Sequence, residues 1–128
     1  MKRVGGSRVL ARQRAQRRGR LAEWMCLWHL RLHGWHIVAR GWRCPSGEID
    51  IMARRGKVLA VIEVKSRGEL ATAASALAPR QRRRIVRAAE AFLTQRSDLA
   101  GLDLRFDVML VAPLHLPRHW RGAWRADD

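Results

Sequence analysis

Two neighbouring segments of this chain carry acidic side chains at alternate positions, and this pattern constrains the fold more than any other feature. The first segment contains Gly47-Glu48-Ile49-Asp50, and the second ends in Glu63-Val64-Lys65. Polar and apolar residues alternate along the first and the second is an apolar run, so both are predicted to be β-strands. Arg55-Gly56 is predicted to be the two-residue turn of a hairpin that joins them.

That turn also predicts how the two strands pair. Counting back from Arg55-Gly56 places Glu48 opposite Glu63, with Asp50 and Lys65 on the same face of the sheet. Like charges that face one another on a sheet destabilise it, and carboxylates are seldom buried without a partner. A fold that keeps this acidic cluster is therefore expected to use it.

A hard divalent cation is the natural partner for such a cluster. Mg²⁺, or Mn²⁺ in its place, takes oxygen ligands from one or two carboxylates, from water and from substrate phosphates. A metal there would lower the pKa of a bound water, and Lys65 could orient or deprotonate that water or hold a phosphate oxygen. The alternative interpretation is an ordinary solvated hairpin in which Glu63 and Lys65 pair with each other.

These segments resemble the YraN-like family of uncharacterised bacterial proteins, uncharacterised protein family 0102. The resemblance runs from about Gly19 to Val111 and rests on four motifs: Ala22-Glu23, Gly47-Glu48-Ile49-Asp50-Ile51, Val61-Ile62-Glu63-Val64-Lys65-Ser66-Arg67 and Arg105-Phe106-Asp107-Val108. Members of that family are similar in turn to the restriction-endonuclease-like PD-(D/E)XK nuclease superfamily. In that superfamily an Asp on one strand and a Glu-x-Lys on the next form the metal site.

The resemblance implies a role for each matching residue. Asp50 would be the central metal ligand, Glu63 the second ligand and Lys65 the catalytic lysine. Glu23 matches the acidic residue that commonly completes such sites from the first helix, and Glu48 matches the family's Gly-Glu-Ile-Asp motif. The implied site is thus four carboxylates and one lysine, with Asp50 and Glu63 at its centre.

The predicted elements follow the order helix, three strands, helix, strand. The first helix spans Gly19 to His33, the strands cover residues 36–40, 47–54, 57–66 and 104–111, and the second helix starts at Pro79 and ends near Gln95. This order predicts an α/β fold, a restriction-endonuclease-like core around a central mixed sheet. We predict three regions: a disordered basic arm (1–18), a nuclease-like domain (19–112) and an irregular tail (113–128).

Each predicted helix has an apolar stripe. In the first helix the stripe comprises Leu21, Met25, Trp28 and Leu32, and Trp24, Trp28 and Trp35 are most simply core residues. In the second helix Gln81 lies one turn before the buried Ile85, so its amide is expected to point toward the sheet, where it could act on the scissile phosphate or a metal-bound water. A Gln that merely covers the end of the core stripe is the alternative.

The chain is strongly basic, with 26 Lys and Arg against 11 Asp and Glu and a formal net charge of +15. A polyanion is the expected partner. Nearly all the cationic side chains are arginines, whose planar guanidinium group can form two hydrogen bonds to one phosphate. The predicted nucleic-acid contacts are Arg43, Arg67, Arg80, Arg83, Arg84 and Arg87, with Trp42 as a candidate for stacking on a base. We expect nucleic acid as the partner, DNA in preference to RNA, and no membrane; a homodimer is left open.

A second metal chemistry can be drawn from the sulfur and imidazole side chains. Cys26, His29 and His33 share one predicted helix face, and His36 and Cys44 follow shortly after, as in a tetrahedral zinc site. The spacing fits no common zinc module. Two cysteines without a CxxC motif also give no disulfide framework, so a reducing cytoplasm is the expected location.

Two functions are compatible with these patterns. The first is a Mg²⁺-dependent nuclease that hydrolyses phosphodiesters in DNA or RNA, with branched DNA among its candidate substrates. The second is a non-catalytic module that keeps a nuclease-like fold and uses its arginines to hold nucleic acid. They differ in whether Asp50, Glu63 and Lys65 perform chemistry.

Overall fold

The computed structural model of the chain describes residues 20–66, 78–112 and 114–126. The predicted basic arm (1–18) and Arg67 lie outside this part of the chain. The elements are a helix α1 over residues 20–32, strands β1 (His36–Cys44), β2 (Gly47–Arg55) and β3 (Val58–Lys65), helix α2 (Pro79–Thr94), a 3₁₀ turn (Ser97–Leu99), and strands β4 (Asp103–Leu110) and β5 (Arg118–Trp124).

The five strands form one mixed sheet in the order β1-β2-β3-β4-β5. β1, β2 and β3 are antiparallel neighbours, β3 and β4 are parallel, and β5 returns antiparallel to β4. A parallel pair needs a long crossover, and α2 lies within the connection from β3 to β4. The predicted α/β class is confirmed.

Each face of the sheet carries its own apolar cluster. One contains the buried residues of α2, which are Ile85, Ala88, Ala89 and Phe92. The other contains the buried residues of α1, which are Ala22, Cys26, Leu27 and Leu30. The sheet is therefore the middle of three layers. Within the described ranges, no helix is long and apolar enough to cross a membrane.

Helix α1 turns a different stripe to the sheet from the one predicted. Leu21 is 57% exposed and Leu32 is 79% exposed, and Trp24 and Trp28 are about half exposed, whereas Trp35 is buried as expected. The helix is apolar on two sides, so periodicity alone offered two stripes. The structure buries the one that contains smaller residues, which lets α1 approach the sheet closely.

The hairpin turn lies one residue later than predicted. Arg55 pairs with Val58, so the turn is Gly56-Lys57, and Gly56 has a positive φ of 59°. Glycine at the first central position is typical of a type II′ turn, which is common in hairpins. The partner of each β2 residue therefore shifts by two positions, and continuing the observed register places Asp50, not Glu48, opposite Glu63.

A fifth strand replaces the irregular tail expected after residue 112. β5 pairs with β4 through an irregular register between Phe106 and Val108, and the rings of Phe106 and Trp124 stack at a centroid distance of 4.2 Å. Gly122 has a φ of 59° at this irregularity. The bulge breaks the alternation on which strand prediction depends, so the sequence pattern hid this strand.

Candidate active site

The candidate site lies where β2 and β3 separate. Their regular pairing ends at Ile51 and Ile62. Beyond that point, the backbone N–H of Val64 donates a hydrogen bond of 2.9 Å to Oδ2 of Asp50. A carboxylate thus accepts from an N–H of the neighbouring strand, as a backbone carbonyl does in a regular ladder. This places the Asp50 side chain in the fork between the two strands.

The side-chain alternation of β2 also breaks at Asp50. Ile51 and Ala53 belong to the cluster on the α1 face, and Met52 belongs to the cluster on the α2 face. Strict alternation would put Ile49 with Ile51, yet Ile49 packs with Met52. The side chains before and after Asp50 therefore do not follow one alternation, and at this residue the strand turns about its axis. Asp50 is for this reason accessible to groups from both helical layers.

Glu63 is the hub of the polar contacts at this fork. Its Oε1 accepts a hydrogen bond of 3.1 Å from Nε2 of Gln81 and lies 3.7 Å from Nζ of Lys65. The side chain of Glu63 is only 13% exposed, against 33% for Lys65. Gln81 does reach the sheet from the first turn of α2, as the stripe predicts, and it reaches an acidic side chain there.

Asp50 and Glu63 interact directly through their carboxyl groups, and both are poorly solvated. Burial, together with the neighbouring Asp50 and against the opposing charge of Lys65, raises the pKa of Glu63 to about 8. Burial also raises the pKa of Asp50, although the hydrogen bonds from Val64 and Glu63 oppose the shift. Two carboxyls in contact resist double ionisation, so the pair retains a proton near neutral pH.

Helix α1 contributes a third carboxylate to the same region. Burial and the charge of Asp50 raise the pKa of Glu23, and Arg40 acts in the opposite direction. The next inward residue of α1, Cys26, is buried, and burial together with Glu23 and Asp50 raises the pKa of its thiol to about 12. Glu23 therefore lies within electrostatic range of Asp50.

Glu48 is placed less centrally than the three other carboxylates. It is exposed and forms an ion pair of 3.1 Å with Arg43, which is also exposed. Its charge contributes to the raised pKa values of Asp50 and Glu63, so it remains near the pair. The predicted contact residue Arg43 is thus held at the rim of the site by Glu48.

A cleft of about 290 Å³ lies beside the carboxyl pair. The described residues that line it come from β2, β3 and the start of α2: Glu48, Glu63, Ala78, Arg80, Gln81, Arg84 and Ile85. One wall is acidic and the opposite wall carries two arginines. Such a cleft can receive a phosphate between a cation-binding wall and a guanidinium wall.

The close approach of α2 to β2 depends on Gly47. A Cβ atom at this position would lie 2.7 Å from the backbone oxygen of Arg84. Only glycine lets β2 begin under the first turns of α2, where the cleft is formed. Gly47 was predicted only as part of the Gly-Glu-Ile-Asp motif, although a glycine at the start of a predicted strand is a signal of close backbone approach.

The remaining predicted nucleic-acid contacts divide into two groups. Arg83 and Arg87 are exposed on α2, near the two arginines that line the cleft. Trp42 instead packs edge to face on Phe92 at a centroid distance of 5.3 Å and is partly buried. A ring committed to packing in this way has less surface for a base, so we leave Trp42 out of the proposed interface.

The zinc alternative is not supported by the arrangement of its ligands. In the described part of the chain, no group of three or more His, Cys, Asp or Glu side chains is positioned to hold a metal ion. Cys26 lies on the buried face of α1 and Cys44 lies on β1; both are free thiols. The raised pKa of Cys26 also disfavours the thiolate that zinc needs.

The same observation bears on magnesium in a different way. Mg²⁺ keeps most of its waters and is commonly held by one or two carboxylates, so it does not require three protein ligands. Asp50 and Glu63 provide two adjacent carboxyls, and burial raises the pKa of both because their surroundings solvate the charged forms poorly. The residues present therefore fit a hard divalent cation.

A second buried carboxylate, Asp107, lies away from this site and is fully engaged. It is 0% exposed, accepts two hydrogen bonds of 2.9 Å from Arg105, and contacts His119 at 2.7 Å and the Gly122 N–H at 2.8 Å. Burial acts to raise the pKa of Asp107, but these bonds outweigh it and lower the pKa. Asp107 thus fastens β5 to β4.

Comparison with known proteins places the chain in a family. Residues 22–111 match the model of the uncharacterised protein family UPF0102. A UPF0102 protein of Paramagnetospirillum magneticum is 50% identical over 121 residues, which is 91% of this chain and 94% of that protein. One of Parvibaculum lavamentivorans is 52% identical over 111 residues, 87% and 84% of the two chains. The family expected from the motifs is confirmed: this chain belongs to uncharacterised protein family UPF0102.

Proposed function

We propose that this protein is a metal-dependent nuclease that hydrolyses phosphodiester bonds, with Mg²⁺ or Mn²⁺ as cofactor and a restriction-endonuclease-like core. The observation that carries the proposal is the direct contact between Asp50 and Glu63, two poorly solvated carboxyls with Lys65 3.7 Å from one of them. A buried carboxyl that lines a cleft and has a strongly raised pKa, as Glu63 does, is typical of a functional site. An ordinary solvated hairpin has no reason to bury such a pair.

Asp50 and Glu63 would hold the metal, with Glu23 near enough to join through water. The chemistry supplied by a bound Mg²⁺ is a lower pKa for water and neutralisation of charge on the phosphate. Lys65, next to Glu63, would orient the attacking water or stabilise charge on the phosphate oxygens. Gln81, bonded to Glu63, fixes that carboxylate and presents its amide to the cleft.

The guanidinium wall defines the substrate class. Arg80 and Arg84 line the cleft, and Arg83 and Arg87 extend the positive surface along α2. Helix α2 has no acidic residue in its first turn to neutralise this charge. Arginine contacts to phosphate are independent of base sequence, so we infer a nucleic acid bound through its backbone, with DNA preferred.

One observation favours the alternative of a non-catalytic nucleic-acid-binding module. Within the described residues, no group of three or more potential ligands is arranged around one point. A protein that had lost catalysis could keep the arginines and the fold while its carboxyls no longer converge fully. The two proposals predict the same binding and differ only in metal uptake and cleavage.

The test is a cleavage assay with labelled single-stranded, duplex and branched DNA and their RNA counterparts, each with Mg²⁺, Mn²⁺ or chelator. We expect metal-dependent cleavage by the wild type and none by Asp50→Asn. Asp98→Asn is the matched control, because Asp98 is an exposed carboxylate paired with Arg96. Binding without metal uptake or cleavage would support the non-catalytic module.

A further inference from the structure

A second cleft, of about 490 Å³, lies at the start of β5 and has a different chemistry from the first. Residues 117–121 line it from β5 and the residue before it, and two histidines complete the lining: His29 of α1 and His33, which follows the end of α1. The lining thus includes Arg118, Arg121 and three imidazoles, and none of its described residues is acidic. The carboxylate of Asp107, which contacts the lining residue His119, is buried and is also hydrogen-bonded to Arg105 and Gly122. This cleft suits an anion.

This cleft lies at the edge strand β5 and is lined by residues from both faces of the sheet. The imidazoles near α1 lie on one face, whereas the pairing register assigns Trp120 and Arg118 to the other face, which carries the candidate active site. Glu63 pairs with Val108 and Val108 pairs with Trp120, so these three residues form one row across the sheet. Lys65, Leu110 and Arg118 form the next row. Directly paired residues point to the same face, so Trp120 and Arg118 share the face of Glu63 and Lys65.

The first and last members of each row, on β3 and β5, are two strand spacings apart, which is a distance of roughly 10 Å. That separation is comparable to a short step along a nucleic-acid strand. A strand whose phosphate lies between the carboxyl pair and the arginines of α2 could therefore place a neighbouring nucleotide at β5. The aromatic ring of Trp120 and the exposed Arg118 are the two groups that bind a base and a phosphate most readily.

We propose that Trp120 and Arg118 form a nucleotide subsite that stacks an unpaired base and contacts its phosphate. The inference rests on the proposed function, and it specifies the substrate further: a nucleic acid with a single-stranded segment beside the cleaved bond. Bases in a duplex are stacked on one another and have no face free for an indole, so duplex alone would not fill this subsite.

The test measures anisotropy of labelled oligonucleotides bound to the full-length protein, with chelator present to prevent cleavage. Three ligands are compared: a single strand, the same strand lacking bases at its central positions, and a duplex. Trp120→Ala should weaken single-strand binding about tenfold, the range expected for one stacked base. It should leave affinity for the strand without bases nearly unchanged, and Trp120→Phe should restore most of the loss.

Matched variants separate stacking from charge and from folding. Trp24→Ala removes another partly exposed indole, on the outer side of α1, and should not change affinity. Arg118→Ala should weaken binding to both single strands alike and reduce the salt slope by about 0.7, the value for one phosphate contact on a single strand. Circular dichroism shows whether each variant is folded. If Trp120→Ala does not fold, Trp120→Phe is used to test the subsite.

Three results would overturn the subsite. The first is wild-type affinity for the single strand in Trp120→Ala; the second is an equal loss on the strand without bases. The third is a changed oligomeric state with unchanged affinity, which would make the β5 edge an interface between copies of this chain. All three leave cleavage at Asp50 and Glu63 intact, whereas a wild type that binds none of the ligands refutes the proposed function itself.

Discussion

Replacing Gly47 with alanine should destabilise the protein by pushing α2 away from β2. The new Cβ would lie 2.7 Å from the Arg84 oxygen and 3.3 Å from the Arg84 Cβ, and the first distance is too short without a shift of backbone. Overpacking of this kind costs about 1–3 kcal/mol. With a urea m-value of about 1–3 kcal/mol/M, the unfolding midpoint should fall by on the order of 1 M.

Gly101→Ala is the matched control for that measurement. A Cβ at Gly101 meets nothing within 4 Å, so this substitution should change stability little. The shift of α2 should also move Arg84 and Gln81 relative to Glu63, and nucleic-acid affinity should fall with stability. If Gly47→Ala unfolds at the same urea concentration as Gly101→Ala, the close approach of α2 is not what requires glycine in this motif.

Three further results are expected. Glu63→Gln should make the free energy of unfolding less dependent on pH between about pH 4.5 and about pH 8. A carboxyl whose folded pKa is raised to about 8 stabilises the fold below its unfolded pKa and loses that contribution as pH rises. If the urea midpoints of the wild type and Glu63→Gln change equally with pH over this range, the prediction is contradicted. Asp107→Asn should lower the free energy of unfolding by roughly 3–5 kcal/mol, because it breaks the buried ion pair with Arg105. A urea midpoint equal to that of the wild type would show that Asp107 does not hold β5 to β4. Replacing Arg80 and Arg84 by alanine should reduce the slope of log K against log salt for duplex binding by about 1.8, or 0.9 for each phosphate contact. An unchanged slope would show that these two arginines do not contact phosphate.

The architecture was largely predictable because it depends on patterns that survive small errors. Two strongly apolar strands, a crossover helix and a final apolar strand specify a mixed sheet whichever residue begins each turn. The hairpin register was wrong by two positions, but a two-residue shift preserves which face each side chain occupies. For that reason an acidic residue of β2 still meets Glu63, although it is Asp50, not Glu48, that continues opposite Glu63.

The features that escaped prediction depend on three-dimensional packing. Helix α1 has two apolar stripes, and only contact with the sheet shows that Leu27 and Leu30 are buried while Leu21 and Leu32 are exposed. β5 is an arginine-rich strand fastened through the buried Asp107 and a bulge at Gly122. The helix gives two competing periodic signals and β5 gives no clear one, so neither feature could be predicted from one sequence.

The site itself was predictable in its membership and unpredictable in its geometry. Alternation brought Glu63 and Lys65 together, and the helical stripe directed Gln81 toward the sheet. The fork at Asp50 could not be anticipated, because alternation assumes a regular strand and Asp50 lies where β2 leaves β3 and changes its facing. That irregularity lets one carboxylate meet groups from both helical layers.

The central claim is that Asp50 and Glu63 hold a divalent metal, and calorimetric titration of Mn²⁺ or Mg²⁺ into the protein tests it most directly. We predict a single site in the wild type, tighter as pH rises through about 8, with proton release on binding because Glu63 must lose its proton to become a ligand. Asp50→Asn should abolish this binding, whereas Lys65→Ala should retain it and lose only cleavage. Equal metal uptake by the wild type and Asp50→Asn, or none by the wild type at any pH, would contradict the account.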